Sequence, residues 1–165
     1  MPIFGKKDKQ GNLACNFSHA DGIASMPQGI AVCVTQEDSE SRLSVSMRFS
    51  KQPPIYIKYD QISNVDFIDE KQIKESSKSV IGRATIGGLF LGPLGAIVGG
   101  MSGTGTKKKV ETKYFFIINY HPTNEPDETK IISFEIVGAS LHWSNFIKEL
   151  RSKIHTLETH QPQYL

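Results

Sequence analysis

Few of the side chains that could carry out chemistry have a useful spacing in this sequence. The two cysteines, Cys15 and Cys33, lie in separate runs of alternating apolar residues, so we interpret them as thiols buried in neighbouring strands. The five histidines are scattered, and His155 and His160 lack the i, i+4 spacing of a helical metal pair. The sequence therefore predicts no disulfide framework, no metal site and no cofactor.

The acidic and nucleophilic residues do not form a catalytic pattern either. Asp66, Asp69 and Glu70 lie close in sequence, but a charged turn at the end of a strand explains them. No Gly-x-Ser-x-Gly elbow occurs. The stretch 99–109 is rich in glycine and lysine, but Thr106 stands where a phosphate-loop motif requires lysine. We therefore predict that the chain is not an enzyme.

Basic side chains flank a glycine-rich apolar stretch. Arg83 lies at its entry, Lys107, Lys108 and Lys109 lie at its exit, and Lys113 follows on the next strand. If the stretch folds back on itself, these cations converge. Together with glycine and threonine amides they would then form a weak site for a phosphate-bearing anion. The alternative is a solvated basic loop with no ligand.

Composition restricts the partners and the compartment. The chain has 165 residues and a net charge of +2, from 19 basic and 17 acidic side chains. That balance argues against a protein that coats nucleic acid, and we predict no specific nucleic-acid partner. The first ten residues are basic and lack the apolar run of a secretory signal. We expect a cytoplasmic protein forming a single domain over 1–165, with a basic N-terminal segment at 1–12.

The elements that would position these residues are seven short strands and one helix. Alternation is clearest at 42–49, where Leu43 and Val45 share a face with Met47 and Phe49. A stripe of three- and four-residue spacings predicts a C-terminal helix over 140–156, with Ser140 as its N-cap and Trp143, Phe146 and Leu150 buried. The other predicted strands are 13–19, 29–35, 55–60, 62–68, 111–120 and 130–137. This order favours a mostly β, half-open antiparallel barrel or sandwich plugged by the helix.

The insert at 79–106 is the most unusual feature. Its apolar part, 80–101, is long enough to cross a bilayer, but strands of one sheet lie on both sides of it, so it must leave and return on the same side. Gly92-Pro93 is a natural break, which predicts a helical hairpin. Packing in an oligomer or on its own domain, a lid over the barrel, and a dip into one leaflet remain alternatives. The residues predicted to make an oligomer contact are Gly88, Gly92, Gly95, Gly99, Leu89, Phe90, Leu94 and Ile97.

Three segments of the chain resemble the pleckstrin-homology-like fold of small bacterial and phage proteins. These are the strand–turn–strand at 57–67, the last strand at 132–136 with the following helix, and the glycine-rich insert at 87–100. The resemblance implies a non-catalytic module that binds a small anion as a homo-oligomer. One form would be a phage anti-defence protein that captures a host nucleotide signal. The alternative is an accessory protein whose insert lies in or on a membrane.

Overall fold

A computed structural model describes residues 7–77, 85–86, 89–91, 112–138 and 142–158. A seven-stranded antiparallel sheet dominates it, and the predicted strands and C-terminal helix are confirmed. One part of the strand prediction is wrong: the strand predicted at 42–49 ends at Met47, and Phe49, predicted on its apolar face, lies in the following loop and is exposed. In chain order the elements are β1 (Leu13–Asp21), β2 (Ala31–Glu37), β3 (Arg42–Met47), β4 (Ile55–Lys58), β5 (Ile62–Asp69), α1 (Glu70–Ser77), β6 (Thr85–Ile86), β7 (Leu89–Phe90), β8 (Tyr114–Tyr120), β9 (Lys130–Ile136) and α2 (His142–Glu158).

The strand order requires the sheet to curl into a half-open barrel. The order is β4-β3-β2-β1-β9-β8-β5, so β4 and β5 lie at opposite edges although they are consecutive in the chain. Only the 3-10 turn Tyr59–Gln61 joins them, and three residues reach about 10 Å at most. The two edges of the sheet must therefore approach each other at this corner, as predicted for a half-open barrel.

The main core lies between the concave face of the sheet and α2. Phe146 of the helix is fully buried, with its ring centre 5.8 Å from that of Phe17 and 6.2 Å from that of Phe116. Leu150 is also fully buried, which confirms the predicted apolar stripe. The amide of Gln36 donates to the backbone carbonyl of Phe146 over 2.8 Å and so fixes the helix on β2.

The prediction that Trp143 is buried is wrong. Its side chain is only half-buried, because it lies in the first turn of α2 at the rim of the barrel. There its ring centre is 4.8 Å from that of Phe67 and 6.1 Å from that of Tyr114. Both of these rings are more than one-third exposed, so the three form an aromatic cluster at the surface. The predicted N-cap, Ser140, lies outside the described residues.

A second core covers the outer face of β5, β8 and β9. The sequence of β8 is apolar on both faces, and Phe115 and Ile117 are fully buried on this outer face. Ile73 of α1 and Leu89 of β7 cover them. The polar sequence after β5 predicts a simple link, and its folding as α1 corrects that prediction.

The predicted helix in the insert is wrong where the insert is described. Thr85 pairs with Phe90 and Ile86 pairs with Leu89, so β6 and β7 form an antiparallel hairpin. Gly87 and Gly88 separate the two strands in the sequence, and two glycines between short apolar runs are typical of a hairpin. Leu89 and Phe90, two of the residues in the predicted helix, are therefore extended. The predicted break at Gly92-Pro93 lies outside the described residues.

The two cysteines lie in neighbouring strands, as predicted, but both are half-buried rather than buried. Cys15 is paired in register with Val34, and Cys33 with Asn16, so the two thiols point to opposite faces of the sheet. Burial raises the pKa of the Cys15 thiol from 9.0 to about 11. This thiol is therefore protonated, and a poor nucleophile, at neutral pH.

We expect Cys15 to resist alkylation and to link stability to alkaline pH. In a Cys33→Ser variant, a rise of two pKa units leaves about a hundredfold less thiolate near pH 8 in the folded than in the unfolded chain, so iodoacetamide should react correspondingly more slowly. Because the folded thiol holds its proton more tightly, its contribution to stability is present below pH 9 and is lost as the pH rises towards 11. Alkylation of the native protein at the unfolded rate would contradict this assignment.

Candidate functional site

The segment that contains the insert leaves the sheet and returns to it at one corner. Asp69, the last residue of β5, is paired in register with Tyr114, the first residue of β8. One residue further out, the Glu70 N–H donates to the Lys113 carbonyl over 2.8 Å. The chain therefore leaves the sheet and returns to it at adjacent positions, as expected for an insert that starts and ends on the same side.

A capping box starts α1 at this corner. The Gln72 N–H donates to the Asp69 carboxylate over 2.8 Å, and the Asp69 N–H donates to the Gln72 amide oxygen over 3.2 Å. This reciprocal pair satisfies backbone donors at the start of the helix. The three-residue spacing of Asp69 and Gln72 is the sequence signal for α1. Asp69 is thus a helix cap, and a charged turn alone does not account for the acids at the end of β5.

A buried asparagine attaches the β6–β7 hairpin to the sheet. Asn119 is 1% exposed, and its side-chain amide makes two hydrogen bonds with the backbone of Phe90. The Phe90 N–H donates to the Asn119 amide oxygen, and the Asn119 amide nitrogen donates to the Phe90 carbonyl, each over 2.7 Å. The side chain thus binds β7 as a neighbouring strand would, and it holds Leu89 and Leu91 against the second core.

Replacing Asn119 with leucine should release the hairpin without unfolding the sheet. The change leaves the N–H and the carbonyl of Phe90 without partners, at a cost of roughly 1–3 kcal/mol for each buried group. We expect the Phe90 amide to exchange with solvent at least tenfold faster, as measured by hydrogen exchange. Asn124→Leu, in the β8–β9 loop, is the matched control and should leave this exchange rate unchanged. Equal protection of Phe90 in both variants would show that Asn119 does not hold the hairpin.

A cleft of about 300 Å³ lies between the hairpin and the end of β1. We call it the hairpin cleft; its lining includes Asp21, Phe90, Leu91, Tyr120, Lys130 and Ser133. Lys130 is held by an ion pair with Glu125, and its hydrogen bond to that carboxylate raises the pKa of the lysine. Among the described residues, the charged groups that line this cleft are thus one carboxylate and one paired lysine, a mixed set rather than a cationic one.

A second cleft, of about 500 Å³, opens between β4 and the β8–β9 loop. We call it the β4 cleft; its lining includes Ile23, Ile55, Tyr56, Ile57, Tyr120 and Pro122. One wall is the β1–β2 loop, which the buried His19 fixes. The Ile23 N–H donates to Nε2 of His19 over 3.3 Å, and Nδ1 of His19 lies 3.1 Å from the Pro27 carbonyl. His19 therefore has a structural role that its isolated position in the sequence did not indicate.

Only part of the predicted ligand and oligomer residues can be located. Lys113 lies where the insert rejoins the sheet, and its ammonium group is 3.7 Å from the Glu135 carboxylate. Leu89 is 1% exposed within the chain's own second core, and Phe90 is half-buried beside it. Leu89 and Phe90 therefore pack on the chain's own domain, which is one of the alternatives that the sequence leaves open for the insert. The remaining predicted residues lie outside the described residues, namely Arg83, Lys107, Lys108, Lys109, Gly88, Gly92, Gly95, Gly99, Leu94 and Ile97.

Two other kinds of site are absent from the described part of the chain. No group of three or more His, Cys, Asp or Glu side chains in that part is placed to hold a metal ion. No helix found there is long and apolar enough to cross a bilayer.

A curled antiparallel sheet closed by a C-terminal helix defines a pleckstrin-homology-like domain, here with an insert between β5 and β8. The family model described as "Glycine zipper containing PH domain" matches residues 16–134, the greater part of the chain. The chain belongs to that family. Among curated proteins, none matches it. Domains with this fold are generally binding modules and not catalysts, so the expected class of function is binding.

Proposed function

We propose that this protein is a non-catalytic binding module that forms a homo-oligomer through its glycine-rich insert and binds a small phosphate-bearing anion where the insert meets the sheet. A nucleotide signal is one such ligand. Its capture by a phage-encoded protein would be the concrete biological form of this activity.

The observation that carries the proposal is that the chain leaves the sheet before the insert and rejoins it after the insert at one corner. The hydrogen bond from Glu70 to Lys113 brings the chain on either side of the insert together. In the sequence Arg83 and Lys107 to Lys109 flank the insert, so the proposal assigns them to the anion together with Lys113. Glu135 already partners Lys113, so an anion would have to compete with that carboxylate. This competition supports weak, salt-sensitive binding.

The anion site is tested by calorimetric titration with a panel of cyclic and linear nucleotides and inositol phosphates. Arg83→Ala should weaken binding more than any single Lys→Ala change, because the arginine can offer a planar fork to a phosphate. Affinity should fall as salt is raised. Lys148→Ala, on the exposed face of α2, is the control, because it also removes one positive charge. Absence of heat across the panel with folded protein would reject the ligand.

Assembly is tested separately by sedimentation. Gly95→Leu should dissociate an oligomer that depends on close backbone approach, whereas Gly95→Ala should largely preserve it. A wild-type chain that sediments as a monomer at high concentration would reject assembly and leave the anion site to be judged alone.

A membrane-associated role is the alternative, and one described residue favours it. Phe49, in the β3–β4 loop, is 97% exposed, and the Arg48 guanidinium lies 5.2 Å from the centre of its ring. An exposed aromatic ring beside cations is typical of contact with an anionic lipid surface. Flotation with anionic vesicles distinguishes the two roles. Binding that Phe49→Ser abolishes would favour the membrane, and no flotation of the wild type would exclude this role.

A further inference from the structure

The edge strand β4 presents an unpaired backbone amide and carbonyl. Tyr59 donates its N–H to the Ser41 carbonyl, and from this point every second residue of β4 bonds to β3. The backbone N–H and carbonyl groups of Ile55 and Ile57 therefore bond to β3, whereas those of Tyr56 and Lys58 point away from it. Gln61 accepts the outward Lys58 N–H over 3.0 Å. Within the described ranges, no residue bonds to the backbone N–H or carbonyl of Tyr56. On β4, therefore, the outward backbone groups of Tyr56 have no partner in the described part of the chain.

The β4 cleft lies directly beside this edge. Ile57 is 4% exposed and faces the interior of the barrel, whereas Tyr56 is 47% exposed on the opposite face. In a strand added to β4, the residue opposite Tyr56 would point outward, and its two neighbours would point towards the cleft beside Ile55 and Ile57. The geometry therefore selects an apolar–any–apolar pattern in the added strand.

The charge of this edge indicates what would flank that pattern. Between Met47 and Asp60 the chain carries three cations and no acidic side chain. The cations are Arg48, Lys51 and Lys58, and Lys51 and Lys58 are exposed on either side of the free amide. Acidic residues around the apolar pair would complement them. The three positive charges of this segment exceed the net charge of +2 of the whole chain.

We propose that β4 and the β4 cleft form a peptide-binding site, in which an extended acidic segment of a partner protein adds a strand to the sheet at Tyr56. Two hydrogen bonds to the Tyr56 backbone would fix its register, and two apolar side chains in the cleft would give specificity. No described residue of the insert lines the β4 cleft, so this proposal does not rest on the proposed oligomer or anion.

The test is selection of random short peptides, displayed on phage, against the full chain. We expect enrichment of sequences with two apolar residues one position apart and acidic residues outside them. A synthesised peptide from that pool should bind Tyr56→Pro at least tenfold more weakly, because proline removes the outward N–H. The ladder to β3 should survive, because that N–H does not take part in it.

Tyr56→Val is the matched control, since it removes the ring and keeps the N–H, and it should bind within a few-fold of the wild type. An unchanged sheet in the circular dichroism spectrum of Tyr56→Pro excludes misfolding as the cause of lost binding. Two results would overturn the proposal. One is no enrichment, or equal enrichment on the proline variant. The other is a change in sedimentation of Tyr56→Pro without peptide, which would assign this edge to a second copy of the chain.

Discussion

Replacing Phe146 with alanine is expected to lower the free energy of unfolding by roughly 3–5 kcal/mol, a large effect for a single substitution. The side chain is fully buried in α2 and contacts the rings of Phe17 and Phe116. Truncation would leave a cavity between a helix and a curved sheet. These elements cannot close together freely, because the bond from Gln36 to the Phe146 carbonyl fixes their separation.

Urea unfolding followed by circular dichroism measures this effect, with Trp143, the single tryptophan, as a local fluorescent probe of the helix. Lys148→Ala is the matched control, because Lys148 lies on the same helix but is exposed, and it should change stability by less than about 0.5 kcal/mol. If Phe146→Ala unfolded at the wild-type urea concentration, α2 would not be an integral part of the core.

The sheet and α2 could be predicted because each of them has one buried face. Alternation in β3 and the three- and four-residue spacing in α2 directly record which side of the element meets the core. Trp143 shows the limit of this reasoning. A helical stripe identifies the buried face, but it does not tell where along the helix the sheet ends, so a residue of the stripe at the rim stays half-exposed.

The second core could not be predicted in the same way. α1 is polar except for Ile73, and β6 and β7 are two residues each, too short to show a period. Their positions depend on specific hydrogen bonds: the capping box of Asp69 and Gln72, and the two bonds of Asn119. The first has a recognisable spacing. The second joins residues 29 positions apart, and only the fold brings them together.

The two candidate sites also differ in how far they could be predicted from the sequence. The return of the chain to the corner at which it leaves the sheet could be predicted from topology alone, since flanking strands of one sheet require it. The β4 cleft gave no sequence signal, because it is formed by four separate segments of the chain and by a backbone edge whose exposure depends on strand order. Backbone donors are the same at every residue except proline, so a sequence cannot show which of them remains unpaired.

Gly22→Ala is expected to lower stability by about 3 kcal/mol or more, through two costs at one position. Gly22 follows β1 and has φ +103°, a conformation that side-chain-bearing residues rarely adopt. A Cβ atom there would lie 2.1 Å from the Ile131 carbonyl oxygen and 2.8 Å from the Ile132 Cα. Both atoms are backbone of β9, a central strand, so neither can move without disturbing the pairing of β1 with β9.

Gly29→Ala separates the two costs, because Gly29 ends the same loop with φ +80° but has no atom within 4 Å of the position that a Cβ would occupy. It should lose only the conformational part, about 1 kcal/mol. The difference between the two variants in urea unfolding therefore measures the steric contact with β9 alone. Gly22 also lines both clefts, so a folded Gly22→Ala chain should bind the selected peptide more weakly than Gly29→Ala does. Equal stability of the two variants would mean that the β1–β2 loop can move away from β9, and the wall of the β4 cleft would then not be fixed.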